Sequence, residues 1–349
     1  MKILHVLLSR GFAGSERSTA ESCNAQCVRH ELVLAVRDDH RKGGASVVDH
    51  VDPRVRVVAL PRLLLTQWKL ARLVRDFGPD VIHCHLRRST RLVSRIETAA
   101  VKVSTLHIGF NGRHFHGMDG LVCNARWQIA QLPPEFKGVA HKANNSLLPQ
   151  RRLPADAVAA LRAGLGAQPG DFVVGGVGRL AHVKGWDTLI DAVRALPQLA
   201  QVKVFIFGQG SDEAALKART GGDPRIALPG FRPDVKDLYQ AFDVFVCPSR
   251  FEPLPRVMLE ALDAGTPVIA SDADGCRELI EDYGGDLFPI GDAAALAALL
   301  ADHVARPRGR REVDLAAHHV DAANAAMEAF YQRLLARRRA PLPGRPGGR

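Results

Sequence analysis

The stretch Val244-Phe-Val-Cys-Pro-Ser-Arg-Phe-Glu-Pro-Leu-Pro-Arg-Val-Met-Leu-Glu-Ala261 holds a strand, a loop and the start of a helix in 18 residues. Its first four residues are apolar, as expected for a buried parallel strand. Prolines then break the ladder, and Pro255 has the fixed φ and missing N–H that suit the first turn of a helix. The loop therefore lies at the carboxyl end of a strand, where an open parallel sheet collects ligands. Glu252 stands in the turn and Glu260 about two helical turns on, so both can look along one site. Ionised carboxylates only accept hydrogen bonds, which suits sugar and ribose hydroxyls. The competing reading makes Glu252 a partner of the helix dipole and Glu260 an exposed helix residue.

Outward from this stretch the same alternation recurs. Upstream, Lys2 to Ser9, Glu31 to Arg37, Arg54 to Ala59, Asp80 to His85, Val101 to Leu106 and Gly120 to Cys123 read as strands. Ser15 to His30, Leu65 to Phe77, Arg88 to Ala99 and a segment starting near Asn124 read as helices. Pro and Gly crowd Leu148 to Gly170, the expected interdomain connection. Downstream the strands are Phe172 to Val177, Val202 to Gly208, Ile226 to Pro229, Val244 to Cys247 and Val268 to Ala270, again with helices between them. Such alternation predicts parallel sheets covered on both faces. The expected fold is α/β, two doubly wound Rossmann-like domains facing across a cleft. The expected boundaries are 1–167 and 168–321, a terminal helix over 322–340 returning toward the first domain, and a flexible tail over 341–349.

Length and composition agree with two packed domains: 349 residues, 46% hydrophobic and 24% charged, exclude global disorder. No apolar run approaches the roughly 18 residues of a membrane span, and no signal peptide is seen. Six scattered cysteines without a paired CxxC spacing point to a reducing cytoplasm. Charge is lopsided, with 25 basic against 13 acidic residues over 1–167 and 22 against 24 over 168–349. A positive first half suits nucleic acid, anionic lipid or phosphorylated small molecules.

Further loops follow predicted strands. Gly11 to Ser15 would let backbone approach a ligand, with Ser15 capping the next helix and Arg17 close by. In Gly178-Arg-Leu-Ala-His-Val-Lys-Gly185, Arg179 offers a planar fork of donors and Lys184 a compact charge, a combination suited to a diphosphate. Phe207-Gly-Gln-Gly210 resembles only part of a dinucleotide fingerprint, and neither half opens with the complete one, which argues against an oxidoreductase. At the start of the helix after Pro255, free amides near Arg256 and Val257 could receive phosphate oxygens. Glu278 is a further candidate or a plain helix-start carboxylate. His83 and His85 alternate along a strand and are expected on opposite faces, against a metal pair; His114 and His116 are left unassigned.

Together Gly178-Arg179 to Lys184-Gly185, Gly208-Gln-Gly210, Pro229-Gly-Phe231, Pro248-Ser249 with Glu252 to Glu260, and Gly265-Thr-Pro267 resemble glycosyltransferase family 4, retaining enzymes of GT-B architecture. The resemblance implies that Arg179 and Lys184 bind a donor diphosphate, that Phe231 lies by the nucleobase, that Glu252 contacts the transferred sugar and that Glu260 holds ribose. It implies donor contacts also from Gly14, Gly178, Gly208, Gly210, Ser249, Leu254, Arg256 and Val257. Acceptor contacts are implied from Gly11, Ser15, Arg17 and His107, the last also as a catalytic-site histidine beside Arg179, Lys184 and Glu252. Pro255-Arg256 departs from the small residues common there in the family, so the second phosphate rests more on Arg179, Lys184 and neighbouring amides.

The implied reaction moves a sugar with retention from a nucleoside diphosphate sugar, UDP-linked before GDP or ADP, with UDP-glucose one donor. The acceptor is a hydroxyl of an envelope glycolipid or lipopolysaccharide core intermediate. No cofactor and no metal are expected. Leu63 to Lys69, with Arg72 and Arg75, and the arginines at 87, 88, 91 and 95 suggest peripheral contact with an anionic membrane on its cytoplasmic face, or a merely solvated surface. A soluble sugar or sugar phosphate acceptor, an inactive transferase-like scaffold, and a nucleic-acid-binding protein are the alternatives. The last lacks any recognisable nucleic-acid-binding signature.

Overall fold

The structure, a computed structural model, describes residues 1–42, 44–61 and 64–339. The expected tail over 341–349, with residue 340 of the expected terminal helix, lies outside the described residues, as does Leu63 of the apolar segment.

The chain divides into two compact units, one made of Met1–Ser146 together with the segment from Ala316 onward, the other of Leu147–Leu315. In the first unit, β1 (Lys2–Leu7), β2 (Glu31–Arg37), β3 (Arg56–Leu60), β4 (Val81–His85), β5 (Val101–Leu106), β6 (Gly120–Cys123) and β7 (Val139–Lys142) form one parallel sheet ordered β3-β2-β1-β4-β5-β6-β7. The helices α1 (Gly14–Gln26), α2 (Leu64–Phe77), α3 (Leu86–Val93) and α4 (Arg126–Ala130) connect its strands. After Lys2 every residue of β1 is buried, because a central parallel strand is covered on both faces.

In the second unit, α5 (Ala155–Gly164) precedes β8 (Phe172–Val177), and α6 (Trp186–Arg194), β9 (Val202–Phe207), α7 (Glu213–Thr220), β10 (Ile226–Gly230) and α8 (Val235–Leu238) follow. The unit continues with β11 (Val244–Cys247), α9 (Arg256–Asp263), β12 (Val268–Ser271), α10 (Asp274–Tyr283), β13 (Asp286–Phe288) and α11 (Ala293–Ala305). Its parallel sheet is ordered β10-β9-β8-β11-β12-β13. In each sheet the order reverses once, at β1/β4 and at β8/β11, and the crevice beyond such a point is where ligands bind in doubly wound folds.

The boundary falls at Ser146/Leu147 rather than 167/168, because the proline-rich connection packs with the second unit. Arg162 of α5 pairs with Asp243 at 3.0 Å, and Gln240 accepts from the backbone N–H of Leu153. The final helix α12 (Val320–Arg339) buries Phe330, Tyr331 and Leu334 in the first unit against Ile3, Val81, Val101, Val103 and Val122. A Cβ at Gly120 would lie 2.6 Å from Leu334 and 2.7 Å from Phe330, so the glycine allows this close seating. Redrawn this way, the first unit carries 28 basic and 14 acidic residues.

Other differences are local. The expected helix over 88–99 starts at Leu86 and ends at Val93, so Arg95 lies beyond it and cannot continue a helical face with Arg87 and Arg91. β7 and β13 escape the periodicity reading because each is an edge strand of three or four residues.

Candidate functional site

The second unit gathers three loops at the carboxyl edge of its sheet: 178–185 after β8, 208–210 after β9 and 248–255 after β11. Glycine is required where they touch. A Cβ at Gly208 would stand 1.9 Å from the Gly178 carbonyl oxygen, one at Gly210 2.0 Å from that of Leu180, and one at Gly185 2.0 Å from that of Pro248. Gly185 also has φ +66°, a conformation that favours glycine. The loops are joined further by Arg250, whose backbone N–H donates to Val183 and whose guanidinium holds Asp187 at 2.7 Å.

On this scaffold Lys184 is ion-paired with Glu252, and Ser249 Oγ donates to the same carboxylate oxygen at 3.3 Å. Burial works against the Lys184 charge, but the attraction of Glu252 outweighs it and raises the ammonium pKa above its ordinary value. Glu252 is itself held from behind: its carbonyl accepts from the backbone N–H of Gly275 at the start of α10. A Cβ at Gly275 would stand 2.2 Å from the Pro253 oxygen. The site thus presents a half-buried cation and a buried anion already in contact, able to exchange partners with a ligand that carries both phosphate and hydroxyl groups.

Glu260 is buried rather than an exposed helix position, accepting from Tyr239 Oη at 2.9 Å with Arg256 Nε at 3.6 Å. Pro255 is the residue capping α9 rather than its first helical residue. Its carbonyl accepts from the backbone N–H groups of Met258 and Leu259 in the opening turn. Arg179 and Phe231 are exposed, Phe231 to 63%, Leu254 is buried and Val257 is half-buried. Glu278 is buried on α10, as Glu252 is in its loop and Glu260 on α9.

In the first unit, Gly11 takes φ +82° and bonds to the His40 carbonyl. Ser15 does not cap α1. The helix opens at Gly14, and Glu16 Oε2 accepts from the Ala13 N–H at 3.1 Å and from Ser15 Oγ at 2.9 Å. A Cβ at Gly14 would meet nothing within 4 Å, so packing does not explain that glycine. His107 follows β5 at the sheet edge, and burial holds its imidazole down to about 4 against the pull of Glu16. Arg17 lies on the exposed side of α1.

His83 and His85 share a face, contrary to the expectation from sequence, because side chains two apart on a strand point the same way. With His5, which pairs with His83 in the β1/β4 register, they form a buried cluster whose nitrogens lie within 4.8 Å of one another. That spacing is of the kind that can hold a metal ion, and the sequence reading anticipated no such group. The signal was present as a histidine within the apolar run Ile3 to Leu7 of β1 and a His-x-His alternation in β4.

Residues 158–319 match the family described as Glycosyl transferases group 1. The chain is similar in structure to Anabaena HepE in complex with UDP-glucose, with a TM-score of 0.72, 21% identity and 97% of each chain covered. It is similar also to WaaG, a glycosyltransferase involved in lipopolysaccharide biosynthesis, with a TM-score of 0.67, 16% identity, and 96% of this chain and 97% of that one covered. The fold is GT-B. Among curated relatives, the lipopolysaccharide core biosynthesis glycosyltransferase LpsD of Rhizobium meliloti (strain 1021) is 29% identical over 332 residues, 88% of this chain and 90% of that one. The mannosyltransferase LpsB of the same organism is 32% identical over 226 residues, 57% of this chain and 63% of that one. These findings support a glycosyltransferase with the GT-B fold.

Proposed function

We propose that the protein is a family 4-like, retaining glycosyltransferase. In this reading it moves a sugar from a UDP-linked donor to a hydroxyl of an envelope glycolipid of the lipopolysaccharide core type. The Lys184–Glu252 pair carries the proposal, since it sets a cation for the leaving diphosphate beside an acceptor for the sugar's hydroxyls. Arg179 and the opening amides of α9 take the remaining phosphate charge, Phe231 lies against the base, and Glu260 with Arg256 meets the ribose. The glycine edges at 178, 208 and 210, with Gly14, let backbone approach the donor, and Ser249, Leu254 and Val257 complete its contacts. Gly11, Ser15, Arg17 and His107 serve the acceptor side.

Positive charge counts most as the diphosphate departs, so the pair lowers the barrier more than it tightens ground-state binding. The incoming hydroxyl enters on the same face, and the leaving phosphate takes its proton. His107, neutral at physiological pH, positions rather than acts as a strong base. UDP is favoured because HepE was crystallised with UDP-glucose, and the lipopolysaccharide core acceptor because LpsD and LpsB carry that role in their names.

A panel of nucleotide sugars, with and without purified core glycolipid, tests the reading. Nucleotide release should rise with one donor when acceptor is present, and Glu252→Ala should lower that rise by about 10²-fold. Release indifferent to donor, or an unimpaired Glu252→Ala enzyme, would count against it.

Peripheral membrane contact on the cytoplasmic face is the second proposed element. It is supported by α2, where Leu65 and Trp68 are 58% and 57% exposed and the Arg72 guanidinium lies 5.8 Å from the Trp68 ring. No helix among the described residues is long and apolar enough to cross a membrane. Binding to vesicles rich in phosphatidylglycerol should be strong at about 0.01 M salt and largely lost by about 1 M, as the screening length shortens tenfold. Trp68→Ser should weaken it. Equal binding to neutral vesicles at both salts rules this out.

A further inference from the structure

A polar pocket opens on the first unit at the carboxyl edge of its sheet, beside the β1/β4 reversal. Its wall includes His85, His107, Asn124, Asn145 and Ser22, and no carboxylate, ammonium or guanidinium group lines it among the described residues. Two buried ring nitrogens here have no hydrogen-bond partner, His85 Nδ1 and His107 Nε2. His85 is only 4% exposed. A buried polar atom left without a partner is costly, and such an atom at a pocket wall points to a ligand that satisfies it.

The hydrogen-bond network fixes which proton His85 carries. Asn324 Nδ2 donates to the Val320 carbonyl at 2.7 Å, which turns Asn324 Oδ1 toward Gln26 Nε2 at 3.2 Å. That orients Gln26 Oε1, an acceptor only, at 2.9 Å from His5 Nε2, which must therefore be the protonated nitrogen. Burial pushes His5 down to about 4 and His85 well below its ordinary value, so both rings are neutral and carry one proton each. His5 Nδ1 is then a bare acceptor, 2.9 Å from His85 Nε2, which must donate. One conclusion remains for His85: Nδ1 is unprotonated. His83 cannot substitute, since its nitrogens are taken by Tyr331 Oη at 2.6 Å and Thr105 Oγ1 at 2.7 Å. A metal among His5, His83 and His85 is disfavoured, because coordination would have to break these bonds.

We propose that His85 Nδ1 accepts a hydrogen bond from a hydroxyl of a neutral, polyhydroxylated ligand bound in this pocket, held unprotonated by the chain through His5, Gln26 and Asn324. An anion is disfavoured, since an anionic oxygen would face the bare lone pair of His85 Nδ1 with no cation lining the site among the described residues. Serine, asparagine and neutral imidazole are the groups that pair with alcohols. Naming that ligand as the sugar portion of the acceptor rests on the transferase reading above; the alcohol-binding chemistry does not. His85 is thus placed as a substrate-contacting residue, while His5, Gln26 and Asn324 are positioning residues that set its tautomer.

The test uses the full chain labelled with ¹⁵N-histidine. In the free protein, His85 Nδ1 should resonate as a bare nitrogen and Nε2 as a protonated one throughout about pH 6 to 8. Methyl α-D-glucopyranoside or methyl α-D-mannopyranoside should shift Nδ1 saturably while leaving His303 unmoved. Gln26→Leu, with unchanged circular dichroism, should yield a mixture of His85 tautomers and weaken glycoside binding severalfold. His85→Phe should abolish binding, and His85→Asn, which retains an acceptor near Nδ1, should rescue part of it. A protonated Nδ1 in the free protein, no shift at about 100 mM of either glycoside, or a shift produced by zinc or inorganic phosphate instead would overturn the proposal. Nucleotide release is measured separately. Its complete absence with every donor would sink the transferase reading, while the glycoside shift would still decide the His85 site.

Discussion

Replacing Lys184 with alanine should lower the rate of sugar transfer by about 10²–10³-fold, the usual loss when one preorganised donor to a developing negative charge is removed. The same change leaves the Glu252 carboxylate, side chain 10% exposed, without its cation. Breaking such a buried pair from one side costs up to about 3 kcal/mol of stability, because the orphaned charge stays desolvated. The two effects separate in the double variant Lys184→Met with Glu252→Gln, which carries no unpaired charge. Its denaturation midpoint should return toward that of the wild type while transfer stays lost. A single variant that turns over normally, or a double variant that regains transfer, would show that the pair is structural only. Because the raised Lys184 pKa lies above its unfolded value, the pair's contribution is fully present below about pH 10 and lost only at higher pH.

The second large effect is expected at Gly208. An added methyl would stand 1.9 Å from a backbone oxygen at φ +143°, and backbone cannot swing aside as a flexible side chain can. Gly208→Ala should destabilise the protein by about 2–5 kcal/mol, combining overpacking with an unfavourable dihedral. Gly14→Ala provides the contrast, since open space surrounds that position in the first turn of α1. Stability should hold or rise by up to about 1 kcal/mol from helix propensity. Donor use should fall if the glycine is there to admit a ligand. Urea denaturation reads both variants, and an unchanged midpoint for Gly208→Ala would refute the close-packing argument.

Much of the second unit was legible in sequence because local order suffices to write it. Val244–Cys247 is a strand by its run of apolar residues, with Glu252 in the loop that follows it and Glu260 on the helix after that loop. The glycines at 185, 208 and 210 were legible for the same reason, since each marks a loop that must approach another backbone. Short-range spacing could not reveal the burial of Glu260, because it depends on Tyr239, twenty-one residues away and on a different element.

Sequence alone therefore determined the alternation of strands and helices, and with it two parallel sheets, since periodicity and chain breaks act within a few residues. Only tertiary structure decided where the units divide, since the proline-rich connection joins the second unit through Arg162 and Asp243. It alone decided the state of His85, because that proton is assigned through Asn324, 239 residues further along the chain, and no local pattern encodes a hydrogen-bond chain that closes only when α12 packs against α1.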